Sequence, residues 1–410
     1  MADTMVRTAR YRLCPSAVQA ETMAQFAGVC RLVYNIALEQ RRDWYRQFKI
    51  ATGKNISFYS QAKELKDLRA SVDWIGAAPH CAQVQALWDL DDAFQRFFRG
   101  KNGYPSPRRK GENDSFRIPG KEFHSPIRNL PNTRYAEVRL PKLGWCKFRL
   151  SRPLPIDRKL IEATVVLDAL GWHICLVFRV SSVATAKLDG HIGIDRGVAN
   201  TLSLSDGTFA SQPVARLDAL ARRSKTHQKR LSRQKRGSNR SAMTRRMLAK
   251  TRAKIARVRK HWNHEQSTRI AAGFGTVVME ALKTGTMTRS AKGTIEAPGV
   301  NVRQKAGLNR SILEHGWHQF ERLLAYKLDA AGGRLIRVDP AYTSQTCSAC
   351  GSIAKTHRKS QAVFECSDCG HAAHADTNAA LNILRAGEQP ASRGAVRPSV
   401  KREPSEERPQ

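Results

Sequence analysis

The first hundred residues pass from one alternating segment to long segments with helical spacing. Residues 6–13 alternate basic with less polar side chains, which is the two-residue period of a β-strand. Pro15 and Ser16 then mark the start of a helix, and further helices are predicted over residues 60–70 and 82–98. The apolar positions of the first helix recur at helical spacing and are Met23, Phe26, Cys30, Val33 and Leu38.

From Gly100 the pattern changes to short apolar runs separated by glycine and proline. This punctuation breaks any helix and is typical of strands joined by turns. The predicted strands cover residues 137–140, 146–150, 163–167 and 172–180. We expect a compact, wedge-like β-barrel built from residues 1–15 and 100–187, with the helical unit of residues 16–99 inserted into it.

The remainder of the chain alternates buried strands with helices, as α/β folds do. Strands are predicted at residues 191–195, 276–280 and 334–338, and residues 200–204 are expected to form a hairpin with the first of these. Helical spacing covers residues 216–260, 308–331 and 379–384. The tail, residues 387–410, is rich in Pro, Ser, Arg and Glu and is predicted to be disordered.

The charge of the chain points to a polyanionic partner. Its 410 residues contain 70 Lys and Arg against 35 Asp and Glu, a formal net charge of +35. Such a surplus repels itself unless a polyanion neutralises it. No apolar run approaches the roughly 20 residues of a membrane span, and no signal peptide is recognised at the start. We therefore expect nucleic acid rather than a membrane surface, and a cytoplasmic, nucleoid-associated protein.

Four of the nine cysteines form two CxxC pairs, each followed by glycine. The pairs are Cys347 with Cys350 and Cys366 with Cys369. Two such pairs, 15 residues apart, match the four-thiolate zinc pattern. Disulfides are disfavoured in a reducing compartment, and a redox CxxC would not be expected twice. With four protein ligands the zinc has no open position and is structural. His357, His371 and His374 are surplus to this set and are expected at the surface or on phosphate.

Three carboxylates have the order and context of a two-metal nuclease site. Asp195 ends one apolar strand, Glu280 ends a second, and Asp376 precedes a helical run. Each acid alone is more simply a turn cap. Together they match RNase H-like folds, in which acids on two adjacent strands and a later helix hold two divalent ions for phosphodiester hydrolysis. The order differs from that of DDE transposases, whose glutamate comes last.

The chain resembles the TnpB (OrfB) proteins, which insertion sequences encode and which are related to compact type V CRISPR effectors. The RuvC segments and zinc ribbon of that family match GIDRGV (193–198), VVMEAL (277–282), TSQTCSACG (343–351) and DTNAALNI (376–383). Weaker similarity covers YRL (11–13), GVCRLVYN (28–35), AFQRFF (93–98) and LPKLG (140–144), so it spans nearly the whole chain. Ala281 departs from the family, which usually has an acid there.

The resemblance implies an RNA-guided endonuclease of a transposable element that cuts double-stranded DNA beside a short motif. It implies Mg²⁺ on Asp195, Glu280 and Asp376, Zn²⁺ on the four cysteines, and one protein copy with one guide RNA from the transposon end. It also implies a RuvC-like domain (188–343 and 371–386) interrupted by a zinc ribbon (344–370). Base pairing would then carry sequence information, while the protein grips the backbone.

Candidate nucleic-acid contacts fall in two places. Residues 216–260 contain 18 Lys and Arg and one acid, Asp218, which favours a phosphate-facing surface over a solvated helix. The residues singled out there are Arg222, Arg223, Lys225, Lys229, Arg230, Arg233, Lys235 and Arg236. In the helical unit, Tyr59, Gln83 and Gln85 are candidates for reading the adjacent DNA motif, although ordinary exposed helix positions explain them equally well.

Three alternatives remain beside the nuclease. A guide-directed repressor would bind without cutting, although the nuclease acids are retained here. A CRISPR-associated effector of the same fold would differ in genomic context. A zinc-ribbon protein without a guide would carry no discrete RNA.

Overall fold

The computed structural model describes residues 4–53, 55–112, 114–122, 127–155, 158–181 and 189–388. The chain divides into two units, Met1–Val183 and Ala184–Gln410, and each is treated by itself below. Most of the predicted tail (residues 389–410) and the stretch 182–188 lie outside the described residues. Gly387 and Glu388 belong to the last helix. Among the described residues, no helix has both the length and the apolar character that crossing a membrane requires.

The first unit is a helical segment placed between the first and second strands of an antiparallel sheet. Its elements are β1 (Thr4–Leu13), α1 (Ala17–Gln47), α2 (Lys49–Thr52), α3 (Phe58–Ser71), α4 (Asp73–Ala77), α5 (His80–Phe98), β2 (Ser115–Pro119), β3 (Ile127–Asn129), β4 (Tyr135–Leu140), β5 (Gly144–Arg149), β6 (Arg158–Asp168) and β7 (Gly171–Ser181). The strand order is β2-β6-β7-β1-β5-β4-β3. Strands β2 and β3 are thus the two edges, and the described strands form an open sheet, not the closed barrel that we expected.

Helix α1 begins where the sequence predicts, for a local reason. The Ser16 side chain accepts from the Gln19 backbone N–H, and the Gln19 side chain accepts in return from Ser16, which forms a capping box. The Gln19 amide also donates to the carbonyls of Leu143 and Trp145, so this cap anchors the helix to the sheet. The apolar stripe predicted from the sequence is buried here, from Met23 to Leu38.

The second unit is built around a mixed five-stranded sheet. Its elements are β8 (His191–Asp195), β9 (Leu202–Leu204), β10 (Phe209–Ala210), α6 (Val214–Ser232), α7 (Asn239–Gly273), β11 (Thr276–Glu280), α8 (Thr284–Met287), α9 (Val302–His315), α10 (Trp317–Ala330), β12 (Arg334–Val338), β13 (Val363–Glu365), β14 (Ala372–His374) and α11 (Ala375–Glu388). The sheet order is β10-β9-β8-β11-β12. Strands β8, β11 and β12 pair in parallel, whereas the β8–β9 and β9–β10 pairs are antiparallel. Strands β13 and β14 form a separate hairpin.

The two faces of this sheet bury different helices because strand residues alternate between faces. Ile192, Ile194, Val277 and Met279 join a core with residues of α7 and α10. On the opposite face α11 crosses β8 at Gly193, where an added Cβ would lie 2.2 Å from the carbonyl oxygen of Ala380. The missing side chain therefore lets helix and sheet approach at this point.

Two stretches with one predicted helix each contain two helices. The basic stretch is a hairpin of α6 and α7, and the turn between them includes Gly237 with a positive φ of 82°. Residues 308–331 are divided between α9 and α10 at Gly316, whose φ is 65°. The sequence predicted one helix in each stretch because the apolar spacing resumes after the left-handed glycine, so the pattern does not show the break.

We predict that Gly193→Ala destabilises the protein by about 1–3 kcal/mol, because the added methyl group meets the rigid backbone of α11. Gly273→Ala is the matched control, since a Cβ there meets nothing within 4 Å beyond its own helix and chain neighbours, and its φ is not positive. Chemical denaturation measures both variants. Equal stability of the two would contradict the close packing described here.

Candidate functional site

Three acidic side chains meet where two parallel strands end and a helix begins. Asp195 is the last residue of β8 and Glu280 the last residue of β11, and these strands are adjacent and parallel. Asp376 is the second residue of α11, which crosses the same strands. Glu280 and Asp376 are buried, with 9% and 6% of their surface exposed. Adjacent parallel strands end at one edge of a sheet, so the fold gathers acids that are 181 residues apart in sequence.

The electrostatics of the site indicate that the acids act on one another. Burial first, and then the negative charges of Glu280 and Asp376, together raise the pKa of Asp195 to about 7. Burial also raises the pKa of Glu280, while the hydroxyl of Thr343 and the charge of Arg196 oppose that rise. Holding several negative charges together in a buried site costs free energy unless a cation offsets them. This arrangement is therefore typical of a cation-binding site.

Several polar groups hold these acids, and sequence reasoning missed them. Arg358 Nη2 lies 3.2 Å from Asp376 Oδ1, and Asn200 donates to Asp376 Oδ2 at 3.2 Å. Thr343 Oγ1 donates to Glu280 Oε1 at 2.6 Å. Arg196 donates to the backbone carbonyl of Glu280. Arg196 directly follows Asp195, which was a signal, whereas Arg358 lies 18 residues before Asp376, across the second cysteine pair.

The four cysteines of the two CxxC pairs come together as a separate cluster. Their sulfur atoms all lie within 4.8 Å of one another, and both Cys347–Cys369 and Cys350–Cys366 sulfurs are 3.7 Å apart. A tetrahedron with Zn–S bonds of about 2.3 Å has sulfur–sulfur edges of about 3.8 Å, whereas a disulfide bond is about 2.05 Å long. The cluster therefore fits a structural zinc site.

One of the surplus histidines is not at the surface as we expected. His357 is fully buried beside the cluster, its ring edge-on to Phe364, and its Nε2 lies 3.0 Å from the hydroxyl of Ser367. The basic loop that carries it is thereby packed under the cysteine pairs. This packing also places Arg358, the next residue, against Asp376.

Two asparagines of α11 join the cysteine cluster to the acids. Asn378 donates to the carbonyl of Thr346 at 2.8 Å and accepts from the N–H of Ser348, between the first pair of cysteines, at 2.8 Å. Asn382, one turn later, donates to the carbonyls of Thr343 and Thr346 at 2.9 and 2.7 Å. Thr343 in turn contacts Glu280. We call these two side chains the asparagine clasp.

The predicted nucleic-acid contacts fall into three groups. All eight basic residues singled out on the α6–α7 hairpin, from Arg222 to Arg236, are exposed. In the first unit Tyr59 is 76% exposed and Gln85 is half-buried. Gln83 is fully buried, and its amide donates to the carbonyl of Ile75 at 2.7 Å. The burial of Gln83 contradicts its predicted contact with DNA. The residue lies four positions before Leu87 and seven before Leu90, on the buried side of α5, so the apolar spacing of the helix was the signal that placed it in the core.

Comparison with known proteins finds three matching family profiles. One, described as "Probable transposase" of the OrfB IS605 type, matches residues 173–291. A Cas12f1-like TNB domain matches residues 317–383, and a helix-turn-helix domain of the OrfB IS605 type matches residues 3–49. The TNB match contains all four cysteines of the cluster and Asp376.

Two relatives align with nearly the whole length of this chain. The chain is 35% identical over 406 residues to a protein of Escherichia coli (strain K12) named RNA-guided DNA endonuclease InsQ, covering 97% of each chain. It is 29% identical to an RNA-guided DNA endonuclease of Streptomyces pristinaespiralis, covering 94% of this chain and 90% of the relative. The cryo-EM structure of a Cas12f1–sgRNA–target DNA complex shares the fold, with a TM-score of 0.58 and 16% identity over 93% of this chain and 99% of that one.

We predict that Asp195→Asn stabilises the magnesium-free protein at pH 8 but not near pH 4. The folded-state pKa of about 7 exceeds the ordinary 3.8, so the stabilising contribution of Asp195 is complete below pH 3.8 and is lost as the pH rises through 7. Asparagine removes this loss. Thermal unfolding in a buffer that contains neither magnesium nor a chelator measures the difference in stability, with the exposed Asp218→Asn as control. A variant less stable than the parent at pH 8 would contradict the repulsion described.

Proposed function

Because the chain belongs to the TnpB (OrfB) family, we propose that it is an RNA-guided DNA endonuclease encoded by a transposable element. It would cut double-stranded DNA beside a short motif, using a RuvC-type site on Asp195, Glu280 and Asp376. The observation that carries this proposal is the convergence of three carboxylates at one sheet edge, where burial and mutual repulsion raise the pKa of Asp195 to about 7. The strand order and crossing helix of the second unit support an RNase H-like fold for it.

The donor sets of the two sites suit different metals. Oxygen-only ligands on Asp195, Glu280 and Asp376 suit Mg²⁺, and four clustered thiolates suit Zn²⁺. Bound Mg²⁺ would supply an activated water and stabilise the leaving oxygen. The zinc, with all its positions taken by sulfur, would only hold the ribbon together.

The residues around the acids would orient them and the substrate. Asn200 and Arg358 hold the two oxygens of Asp376, and Thr343 holds one oxygen of Glu280. Arg358 also offers a guanidinium that can bind a phosphate oxygen of the DNA. Arg196 is bound to Glu321 at 2.9 Å and is buried, so its role is to support the backbone of Glu280.

The other expectations extend this proposal to the rest of the chain. The exposed cations of the α6–α7 hairpin would contact phosphates of the guide or its duplex with DNA. In the first unit, the sheet would serve as the wedge domain, and Tyr59 and Gln85 of the helical segment would contact the adjacent motif. One copy would act with one guide RNA from the transposon end.

A guide-directed repressor is the alternative, and retention of all three acids in one site argues against it. A CRISPR-associated role would leave the same structure unchanged, so the genomic neighbourhood distinguishes it: a repeat array beside the gene would indicate that role.

We expect Asp195→Ala to reduce DNA cleavage by roughly 10³-fold or more while leaving RNA binding unchanged, since it removes a metal ligand and no surface charge. The protein would be expressed with its own locus, the co-purifying RNA sequenced, and Mg²⁺-dependent cutting of matching DNA measured. Asp218→Ala, an exposed acid in α6, is the control. Specific binding by the parent protein without cutting would establish the repressor instead, and absence of a discrete RNA would refute guidance.

Lys225→Gln with Lys229→Gln, on the exposed side of α6, should weaken RNA binding and flatten its salt dependence. Each lost phosphate contact lowers the slope of log K against log [salt] by roughly 0.7. Lys63→Gln with Lys66→Gln removes the same charge from exposed positions of α3, where acids alternate with the lysines. Filter binding at several salt concentrations compares the pairs. Equal slopes for both would rule out the hairpin as the main phosphate-binding surface.

A further inference from the structure

An exposed aromatic ring lies on the same row of the sheet as the first acid. Phe209 pairs with Ser203 across β10 and β9, and Ser203 pairs with Asp195 across β9 and β8. Residues directly opposite in antiparallel strands place their side chains on the same face. Two strand spacings separate the ring-bearing residue from Asp195, or roughly 10 Å between backbones. Phe209 therefore stands beside the acids, on the face that α11 crosses.

A second aromatic side chain holds this ring in place. The ring of His374 lies 4.7 Å from that of Phe209, centroid to centroid, at an interplanar angle of 63°. This edge-to-face arrangement is favourable for aromatic pairs. His374 also accepts a hydrogen bond from the backbone N–H of Asp376 at 3.3 Å. The aromatic pair is thus attached to the turn of α11 that carries the third acid.

The pair has features of a base-stacking surface. Phe209 is 42% exposed, although its neighbour Ala210 is buried in the core of the unit. Ser203, between Phe209 and Asp195, is short and fully buried, so the ring is the nearest large side chain along that row. A nucleic-acid strand bound at the acids brings its flanking bases to this distance, and every base has a face that stacks on an aromatic ring.

We propose that Phe209, oriented by His374, is a stacking subsite for one nucleobase of the strand being cut, next to the phosphate bound at the three acids. This inference rests on the proposed nuclease function and adds a contact to the substrate that the metal ligands do not make. Stacking is tolerant of sequence, which suits an enzyme whose specificity comes from base pairing. The subsite would place the scissile phosphate without selecting the base.

The test combines a protein change with a DNA change. The cut position of the parent ribonucleoprotein is mapped first, and a single abasic nucleotide is then moved through the positions on either side of it. We expect one flanking position at which loss of the base slows cutting by the parent by roughly 5- to 100-fold. Phe209→Ala should slow cutting of intact DNA by a similar factor. The abasic site should then slow cutting no further, because the ring and the base contribute through one shared contact and their losses are not additive.

The controls separate stacking from folding. Phe209→Trp should restore both the rate and the sensitivity to the abasic position. Tyr326→Ala, which removes a ring that is 51% exposed on α10, should change neither. Unchanged sensitivity in Phe209→Ala, or an equal loss of rate on every substrate, would overturn the subsite while leaving the nuclease intact. No cutting by the parent protein would overturn the nuclease itself, and the subsite with it.

Discussion

The close approach of α11 to the sheet is the constraint on which the second unit depends. At Gly193 the helix backbone occupies the space that any side chain would need, and at Gly387 an added Cβ would lie 2.5 Å from a methyl carbon of Val278. These two contacts seat the helix across β8 and β11, the strands that end in Asp195 and Glu280. A helix displaced by the width of a methyl group would move Asp376 away from both acids. The meeting of the three acids thus depends on the packing of the α11 backbone against the sheet.

The asparagine clasp explains how the cysteine cluster is joined to the three acids. Asn378 and Asn382 bind backbone groups of residues 343–348, which include the first cysteine of the cluster. The same segment presents Thr343 to Glu280, and the loop packed under the cysteines presents Arg358 to Asp376. Buried amides that satisfy buried carbonyls are costly to break, because the partner is left without a hydrogen bond. The ordered cysteine cluster and the acids are therefore parts of one polar network.

Sequence reasoning succeeded where the signal was local and failed where it was not. Ser16 and Gln19 cap α1 within one turn, and the doubled CxxC pattern predicted the cluster because each pair needs only a tight turn. The apolar strands ending in Asp195 and Glu280 were equally visible. A closed barrel was expected, but the described strands form an open sheet. The expectation failed because strand patterns do not reveal which edges pair. Gln83 was misjudged although it lies on the apolar side of α5, because its amide was taken as a group that reads DNA and instead binds a buried carbonyl.

The sequence by itself determined the three acids and the four cysteines, their order and the large positive charge, because residue chemistry and short-range spacing are written directly in it. The similarity to TnpB proteins could also be stated from its motifs. Only the tertiary structure decided which groups surround the acids. Arg358, Asn200 and Thr343 reach them through loops whose path depends on packing, and Phe209 joins them through the register of three strands. Such contacts join residues far apart in the chain, and local patterns carry no information about them.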